Sequence, residues 1–342
     1  MRLTDAQKER YSRMLALNGF TEDDMRSLLD AHVTVVGAGG LGSPALRMLT
    51  AMGFGLIRII DRDVVELSNI QRQTVFNTRD IDRPKAEAAA DNLALLNPDV
   101  QFDPVVASLD ADNAERLLAG SDVIVDGLDS FTSRYAVNRA SISLGIPYIY
   151  AGAIESYGNC TTFVPGVTGC FRCLVGELED RPEQSCAAVG VSPDVLSLIA
   201  SVEVREALLL STHREPLLKG RLFAADMSTL TMETFAIGRD HNCPECSLSG
   251  PQTSPETGRA SVTAMCSGAF CITPRERTTV NLEQLSERLR KKHRVQLMQE
   301  SLSVFMDAPQ KITVMRQGIA IARGFRTGDE ALRKYFELFV DE

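Results

Sequence analysis

Four glycines stand within six residues at Gly37-Ala38-Gly39-Gly40-Leu41-Gly42, and the order Gly37-x-Gly39-x-x-Gly42 has the spacing of a dinucleotide-binding loop. Glycines at that spacing permit a tight turn and let backbone N–H groups and a helix N-terminus face a phosphate. Asp61 follows Gly42 by 19 residues, at the end of the next predicted strand, where a carboxylate can bind ribose hydroxyls. These residues point to a nucleotide without saying which one. An NAD-dependent oxidoreductase satisfies them as well as an ATP-using enzyme does.

A second polar set is harder to reconcile with hydride transfer. Asn69-Ile70-Gln71-Arg72-Gln73 and Arg83-Pro84-Lys85 place cations and amides after the second strand, and Asp126-Gly127-Leu128-Asp129 follows a later one. Groups placed after strand ends converge on the crevice above the carboxyl edge of an open parallel sheet. Together they supply positive charge for a triphosphate and a carboxylate for a metal ion. The glycine loop lacks the Gly-Lys-Ser/Thr of a Walker motif, so Lys85 must serve the phosphates from a different element.

The chain has eight cysteines and no export signal, so thiol chemistry or metal ligation is a better expectation than a disulfide framework. Cys170-Phe-Arg-Cys173 and Cys243-Pro-Glu-Cys246 are two Cys-x-x-Cys pairs, a composition that suits four-thiolate tetrahedral zinc. The gap between them is longer than in a zinc finger, and a redox role for either pair is the competing reading. Cys186 stands alone before a predicted helix at Pro193. A lone cysteine is usually a small buried hydrophobe, as expected for Cys160 in a strand pattern. Cys266 and Cys271 have weaker claims to chemistry, and His32, His213, His241 and His293 fit no triad or metal spacing.

The elements that must position these residues alternate. Strands are predicted at 33–36, 56–60, 101–106, 123–126 and 147–150, with helices over about 42–52, 84–96, 111–119 and 130–144. That order predicts an α/β fold, a doubly wound and mostly parallel sheet covered on both faces. After Ala151 the pattern becomes more polar, as in Asn159–Val164, which suits an antiparallel extension, and Pro193–Leu210 reads as a long buried helix. Residues 249–260 have the Ser, Pro, Gly and Thr of a linker. Residues 261–342 read as a small α/β unit, with helices near 282–292 and 329–340 and strands near Val295, Val304, Ile312 and Ile319. Its basic run from Arg288 to Arg294 reads as a solvated helix face.

With 342 residues, 44% of them hydrophobic and 24% charged, the chain has the balance of an ordinary folded enzyme. A net charge of -9 argues against a nucleic-acid surface. No apolar run approaches the roughly 18–20 residues that cross a bilayer, so the expected location is the cytoplasm and no membrane partner is expected.

The ordered combination resembles the ThiF/MoeB/HesA family, the ubiquitin-activating-type adenylyltransferases. The likeness rests on the glycine loop, Asp61-Arg-Asp63, Asn69-Ile-Gln-Arg-Gln73, Lys85, Asp126-Gly-Leu-Asp129 and Arg10-Tyr-Ser-Arg13, and it runs over about residues 3–248. It implies an adenylation domain at 1–248 that binds ATP. Asp61 would then hold the ribose, Asn69, Arg72 and Lys85 the phosphates, and Asp129 a Mg²⁺ ion. Arg13 would reach a partner subunit's ATP site, which implies a homodimer. The resemblance also assigns Cys170, Cys173, Cys243 and Cys246 to structural Zn²⁺, and puts Cys186 where some members form a covalent link to a carrier protein. The implied reaction is adenylation of the C-terminal glycine of a small ubiquitin-like sulfur-carrier protein, in molybdopterin, thiamin or related sulfur transfer. Another carboxylate, on a peptide or a tRNA base, is the alternative substrate. Many relatives carry a rhodanese domain after the adenylation domain. No catalytic cysteine in a short anion-binding loop follows Cys271, so a separate sulfur donor is expected.

Overall fold

Short β-branched runs and Ala- and Leu-rich stretches fold as the alternation predicts. The computed structural model describes residues 2–180, 189–247, 260–264, 269–274, 280–297, 301–316 and 318–339. Cys186, Cys266 and all but the last residue of the 249–260 linker lie outside the described residues.

Three helices, α1 (Asp5–Arg10), α2 (Ser12–Leu15) and α3 (Glu22–Asp30), precede β1 (His32–Val36). Then follow α4 (Gly42–Met52), β2 (Leu56–Asp61), α5 (Lys85–Ala94), β3 (Gln101–Val106), α6 (Ala114–Leu118), β4 (Val123–Asp126), α7 (Phe131–Leu144) and β5 (Tyr148–Ile154). The chain continues through β6 (Tyr157–Phe163), α8 (Phe171–Val175), α9 (Pro193–Ser211), β7 (Arg221–Asp226) and β8 (Thr231–Ala236). Strands β1 to β8 form one sheet in the order β3-β2-β1-β4-β5-β6-β7-β8. Pairs from β3 through β5 are parallel and those from β5 onward are antiparallel.

The order reverses between β1 and β4, and such a switch point opens a crevice at the carboxyl ends of the strands. Register places the strand ends side by side there: Val36 pairs with Ile60 on one flank and with Asp126 on the other. Both faces are covered. Val33, Val35, Ile57, Ile59 and Val125 pack with α4, α5 and α9, whereas Val36, Ile60, Ile124 and Tyr148 pack with α6 and α7. This two-residue alternation between two apolar layers explains why the parallel strands read as continuous hydrophobic runs. The antiparallel extension is tied to α9 by Glu206, which accepts from the Thr162 hydroxyl at 2.6 Å and from the Leu217 and Leu218 N–H groups at 3.0 Å.

The second sheet contains β9 (Ala260–Ala264), β10 (Phe270–Pro274), β11 (Arg294–Leu297), β12 (Ser301–Phe305), β13 (Lys311–Met315) and β14 (Ala320–Arg323). Its order is β11-β12-β13-β14-β10-β9 and every pair is antiparallel. Helices α10 (Leu282–Leu289) and α11 (Gly328–Phe339) cover one face, with Leu282, Leu285, Tyr335 and Leu338 in the same core as Ile272, Val304, Ile312 and Val314. The other face is not left to solvent. Ala269, Cys271, Met315, Ile319 and Ile321 join the core of the first sheet.

Candidate functional site

The glycine loop joins β1 to α4, and its glycines are needed for close approach. Gly37 has φ +97, and a Cβ there would lie 2.3 Å from the Gly127 carbonyl oxygen, while a Cβ on Gly127 would lie 2.2 Å from that of Gly37. No side chain fits on either, so the loop after β1 is pressed against the backbone after β4. Between them and the end of β2 lies a cleft of about 430 Å³, the size that holds a small cofactor.

Gly37, Gly39, Gly40, Asp61, Asp63, Asn69, Arg72, Lys85 and Asp129 all line this cleft. Gly42 stands behind it in the first turn of α4, where a Cβ would meet the Gly37 carbonyl oxygen at 1.8 Å. Arg13 does not line it and is exposed on α2. Its neighbour Tyr11 packs against Gly53 and shares a hydrogen bond with Asn97, before the starts of β2 and β3 and so at the opposite edge of the sheet. Arg83 also turns away, pairing with Asp80 and Asp91 instead of facing the cleft.

Asp61 braces the loop. The Ala38 N–H donates to its Oδ2 at 2.7 Å and the Asp63 N–H to its Oδ1 at 2.7 Å. Burial pushes its carboxyl up, against the pull of Lys85. Each oxygen still has a lone pair to offer, so bracing the loop and taking a hydroxyl are compatible. Lys85 reaches Asp63 Oδ2 at 3.1 Å from the first residue of α5 and is 5% exposed. Burial alone would pull the lysine down, but Asp63 and Asp61 outweigh it and hold the ammonium charged. Burial likewise opposes the Asp63 charge, and Lys85 and Arg62 overcome it, keeping that carboxyl below the usual range.

The short 3-10 turn Leu67–Asn69 presents the next groups. Asn69 Oδ1 accepts from the Glu66 N–H at 3.1 Å, and Arg72 donates to the Ser68 carbonyl at 2.9 Å, which leaves most of the Arg72 guanidinium without a partner among the described residues. Asp63 Oδ1 and Gln73 Oε1 are buried at the cleft wall without a hydrogen-bond partner among the described residues. Buried polar atoms are rarely left unpaired, so both call for a ligand or water. Asp129 is exposed and has no hydrogen-bond or ion-pair partner among the described residues, which leaves its carboxylate open to a cation.

The four paired cysteines come together beside the middle of α7, where Asn138 Oδ1 accepts from the Phe171 N–H at 2.8 Å. Their sulfur atoms all lie within 4.8 Å of one another, with Cys170–Cys243 at 3.7 Å, Cys170–Cys173 at 3.9 Å and Cys173–Cys246 at 3.4 Å. A tetrahedral ion with Zn–S bonds of about 2.3 Å sets its thiolates about 3.8 Å apart, so the donor set fits. All four are free thiols, and burial with the neighbouring Cys173 and Cys243 thiols pushes Cys246 up to about 11. Burial raises Cys170 as well, whereas at Cys173 hydrogen bonds outweigh burial and pull the thiol down; a divalent ion would take the set as thiolates.

A profile of the ThiF family matches residues 11–245. The chain belongs to the ThiF family. It is 39% identical over 249 residues to the SAMP-activating enzyme E1 of Haloferax volcanii, covering 72% of this chain and 92% of that one. The sulfur carrier protein ThiS adenylyltransferase of Escherichia coli is 35% identical over 246 residues, 71% of this chain and 97% of the relative. The molybdopterin-synthase adenylyltransferase of Salmonella typhimurium is 33% identical, with 71% and 98% covered. Among solved structures, E. coli MccB with MccA-N7isoASN superposes with a TM-score of 0.63 over 71% of this chain and 76% of that chain, at 22% identity, a likeness of fold.

Several residues of this ThiF-family chain escaped the sequence reading. Asp180 caps α7, accepting from the Phe131 N–H at 2.6 Å and from the Thr132 hydroxyl at 2.6 Å. On the other side of residues 181–188, Val191 lines the cleft, and the Glu155 N–H donates to the Gly190 carbonyl at 2.9 Å. The described flanks of the segment that carries Cys186 thus both meet the cleft wall. Arg62 and Arg323 line the cleft as well; Arg62 stands inside the Asp61-Arg-Asp63 motif without a role of its own, and nothing in the local sequence marks Arg323.

Proposed function

We propose that the chain activates the C-terminal glycine of a small ubiquitin-like sulfur-carrier protein by adenylation. The carrying observation is the convergence, in a ThiF-family chain, of the glycine loop, Asp61, Asn69, Arg72, Lys85 and Asp129 on one cleft at the sheet's switch point. In the reaction a carboxylate oxygen attacks the α-phosphorus of ATP, the bond to the bridging oxygen breaks, and pyrophosphate leaves with the electron pair. Negative charge grows on the phosphoryl oxygens and the leaving group, and preorganised cations stabilise it because they need no reorganisation as it develops.

Each residue has a part in this reading. Asp61 takes the ribose hydroxyls while bracing the loop, and Asn69, Arg72 and Lys85 face the phosphates, with Lys85 kept charged by Asp63 and Asp61. Asp129 is the open carboxylate for a Mg²⁺ ion, which when bound would neutralise phosphate charge. Arg13 serves a second copy of the chain, since in its own it sits at the opposite edge of the sheet. Cys170, Cys173, Cys243 and Cys246 hold a structural zinc ion that pins α8 to the segment after β8. Cys186 forms the covalent link to the activated carrier after adenylation, its thiolate displacing AMP from the carrier's acyl group. The supporting relatives are named as adenylyltransferases or as an activating enzyme.

ATP–pyrophosphate exchange with purified protein tests the reading, with and without a panel of ubiquitin-like proteins that end in Gly-Gly. Exchange that depends on one panel member establishes the reaction and points to its pathway. ATP binding without exchange for any member moves the substrate to another carboxylate.

A further inference from the structure

The second sheet does more than pack against the first. In β14 and the residue before it, Ile319 and Ile321 point into the core of the first sheet, whereas Ala320 and Ala322 point into the core beneath α10 and α11. Strand alternation therefore turns Arg323 toward the first sheet. Gly324 ends the strand at φ +78 with its Cα tight against Pro309, where a Cβ would lie 2.5 Å from the carbonyl oxygen, and so fixes where Arg323 leaves the sheet. The guanidinium lies in the nucleotide cleft, hydrogen-bonded to the Glu66 carboxylate. Glu66 opens the same turn that carries Asn69, and the Arg323 charge is felt at Asp63.

Much of the cleft's positive charge is already committed: Lys85 to Asp63 and Arg134 to Asp126. The Arg323–Glu66 pair is different, with side chains 35% and 33% exposed. Partly exposed ion pairs of this kind contribute little net stability, so the guanidinium can change partners. An oligophosphate offers it a bidentate, multiply charged alternative that a guanidinium fits well.

We propose that Arg323 exchanges Glu66 for the phosphates of bound ATP, so that the C-terminal sheet supplies a nucleotide-binding residue from the same chain and borders the mouth of the cleft. The proposal rests on the reading of the cleft as an ATP site.

Equilibrium binding of MgATP, inorganic pyrophosphate and adenosine to the full chain tests it. Loss of a charged hydrogen bond predicts that Arg323→Ala weakens MgATP and pyrophosphate by about 10- to 100-fold and leaves adenosine unchanged. Arg323→Lys recovers part of the loss. Glu66→Gln keeps an acceptor for the turn but releases the guanidinium, and tightens MgATP by up to about fivefold. The opposite signs carry the argument: if Glu66→Gln weakens MgATP as much as Arg323→Ala, the pair only fastens the two sheets and the proposal falls. Unchanged MgATP affinity in Arg323→Ala, or a parallel loss of adenosine, overturns it too. Wild-type protein that binds no MgATP would instead overturn the ATP reading itself, and this proposal with it.

Discussion

The two strands that flank β1 both end in aspartate at the same edge of the sheet, and the two ends are built differently. After β4, Asp126 accepts from Arg134 Nε at 3.0 Å, from the Tyr148 hydroxyl and from the Leu128 N–H at 2.8 Å. Arg134 is satisfied in turn by the Leu128 and Ala151 carbonyls at 2.7 Å. Burial opposes the Arg134 charge, but Asp126 outweighs it and holds the guanidinium firmly protonated. After β2, Asp61 and Asp63 share Lys85, Asp63 keeps a buried oxygen without a partner among the described residues, and Asp129 faces them unpaired. A closed network of charges holds structure in place. A network with open valences waits for a ligand, and the difference is legible only when every hydrogen bond is counted.

Substitutions can break or sharpen that contrast. The largest effect is expected for Asp129→Ala, which should abolish pyrophosphate exchange while the melting profile and metal content stay as in the wild type; full exchange in this variant would end the Mg²⁺ assignment. Lys85→Met should lower exchange by about 10²–10³-fold, as expected for removing one preorganised charge. It also changes acid stability with a definite sign. Lys85 holds the Asp63 pKa below its unfolded value, so Asp63 contributes stability above about pH 4 that is lost as pH falls through its folded pKa. Urea unfolding between about pH 5 and pH 3 should therefore show a shallower acid decline in Lys85→Met.

Asp126→Asn tests the closed end. It leaves a buried guanidinium without its counterion, at a cost of about 3–5 kcal/mol in unfolding free energy, with MgATP affinity of the folded fraction within about threefold. Loss of nucleotide binding without loss of stability would reverse the roles given to the two strand ends. Cys173→Ser, in neither network, should drop zinc from one ion per chain toward none and lower the melting temperature, as read by metal analysis and calorimetry. The smallest effect is expected for Cys186→Ala: unchanged pyrophosphate exchange, with any defect confined to transfer of the activated carrier. Lost exchange there would sink that order of steps.

Much of this protein was readable along the chain because its signals are local. The glycine spacing dictates a loop, Asn69 to Lys85 follow a strand that hydrophobic runs announce, and paired cysteines advertise their own chemistry. Strands β1 to β5 were found within a few residues, since burial on both faces leaves an unbroken apolar signature. The hairpin of β7 and β8 was missed for the converse reason: every residue of β8 is exposed, so no burial pattern marks it.

The partners of the charges were decided by tertiary structure alone. Arg83 and Lys85 are two residues apart, yet one pairs on the surface and the other is buried in the cleft, because the start of α5 turns them to opposite sides. Arg323 stands 257 residues from Glu66, and only the packing of one sheet upon the other brings them together. Periodicity along a strand tells which residues share a face; what that face meets depends on contacts distant in sequence.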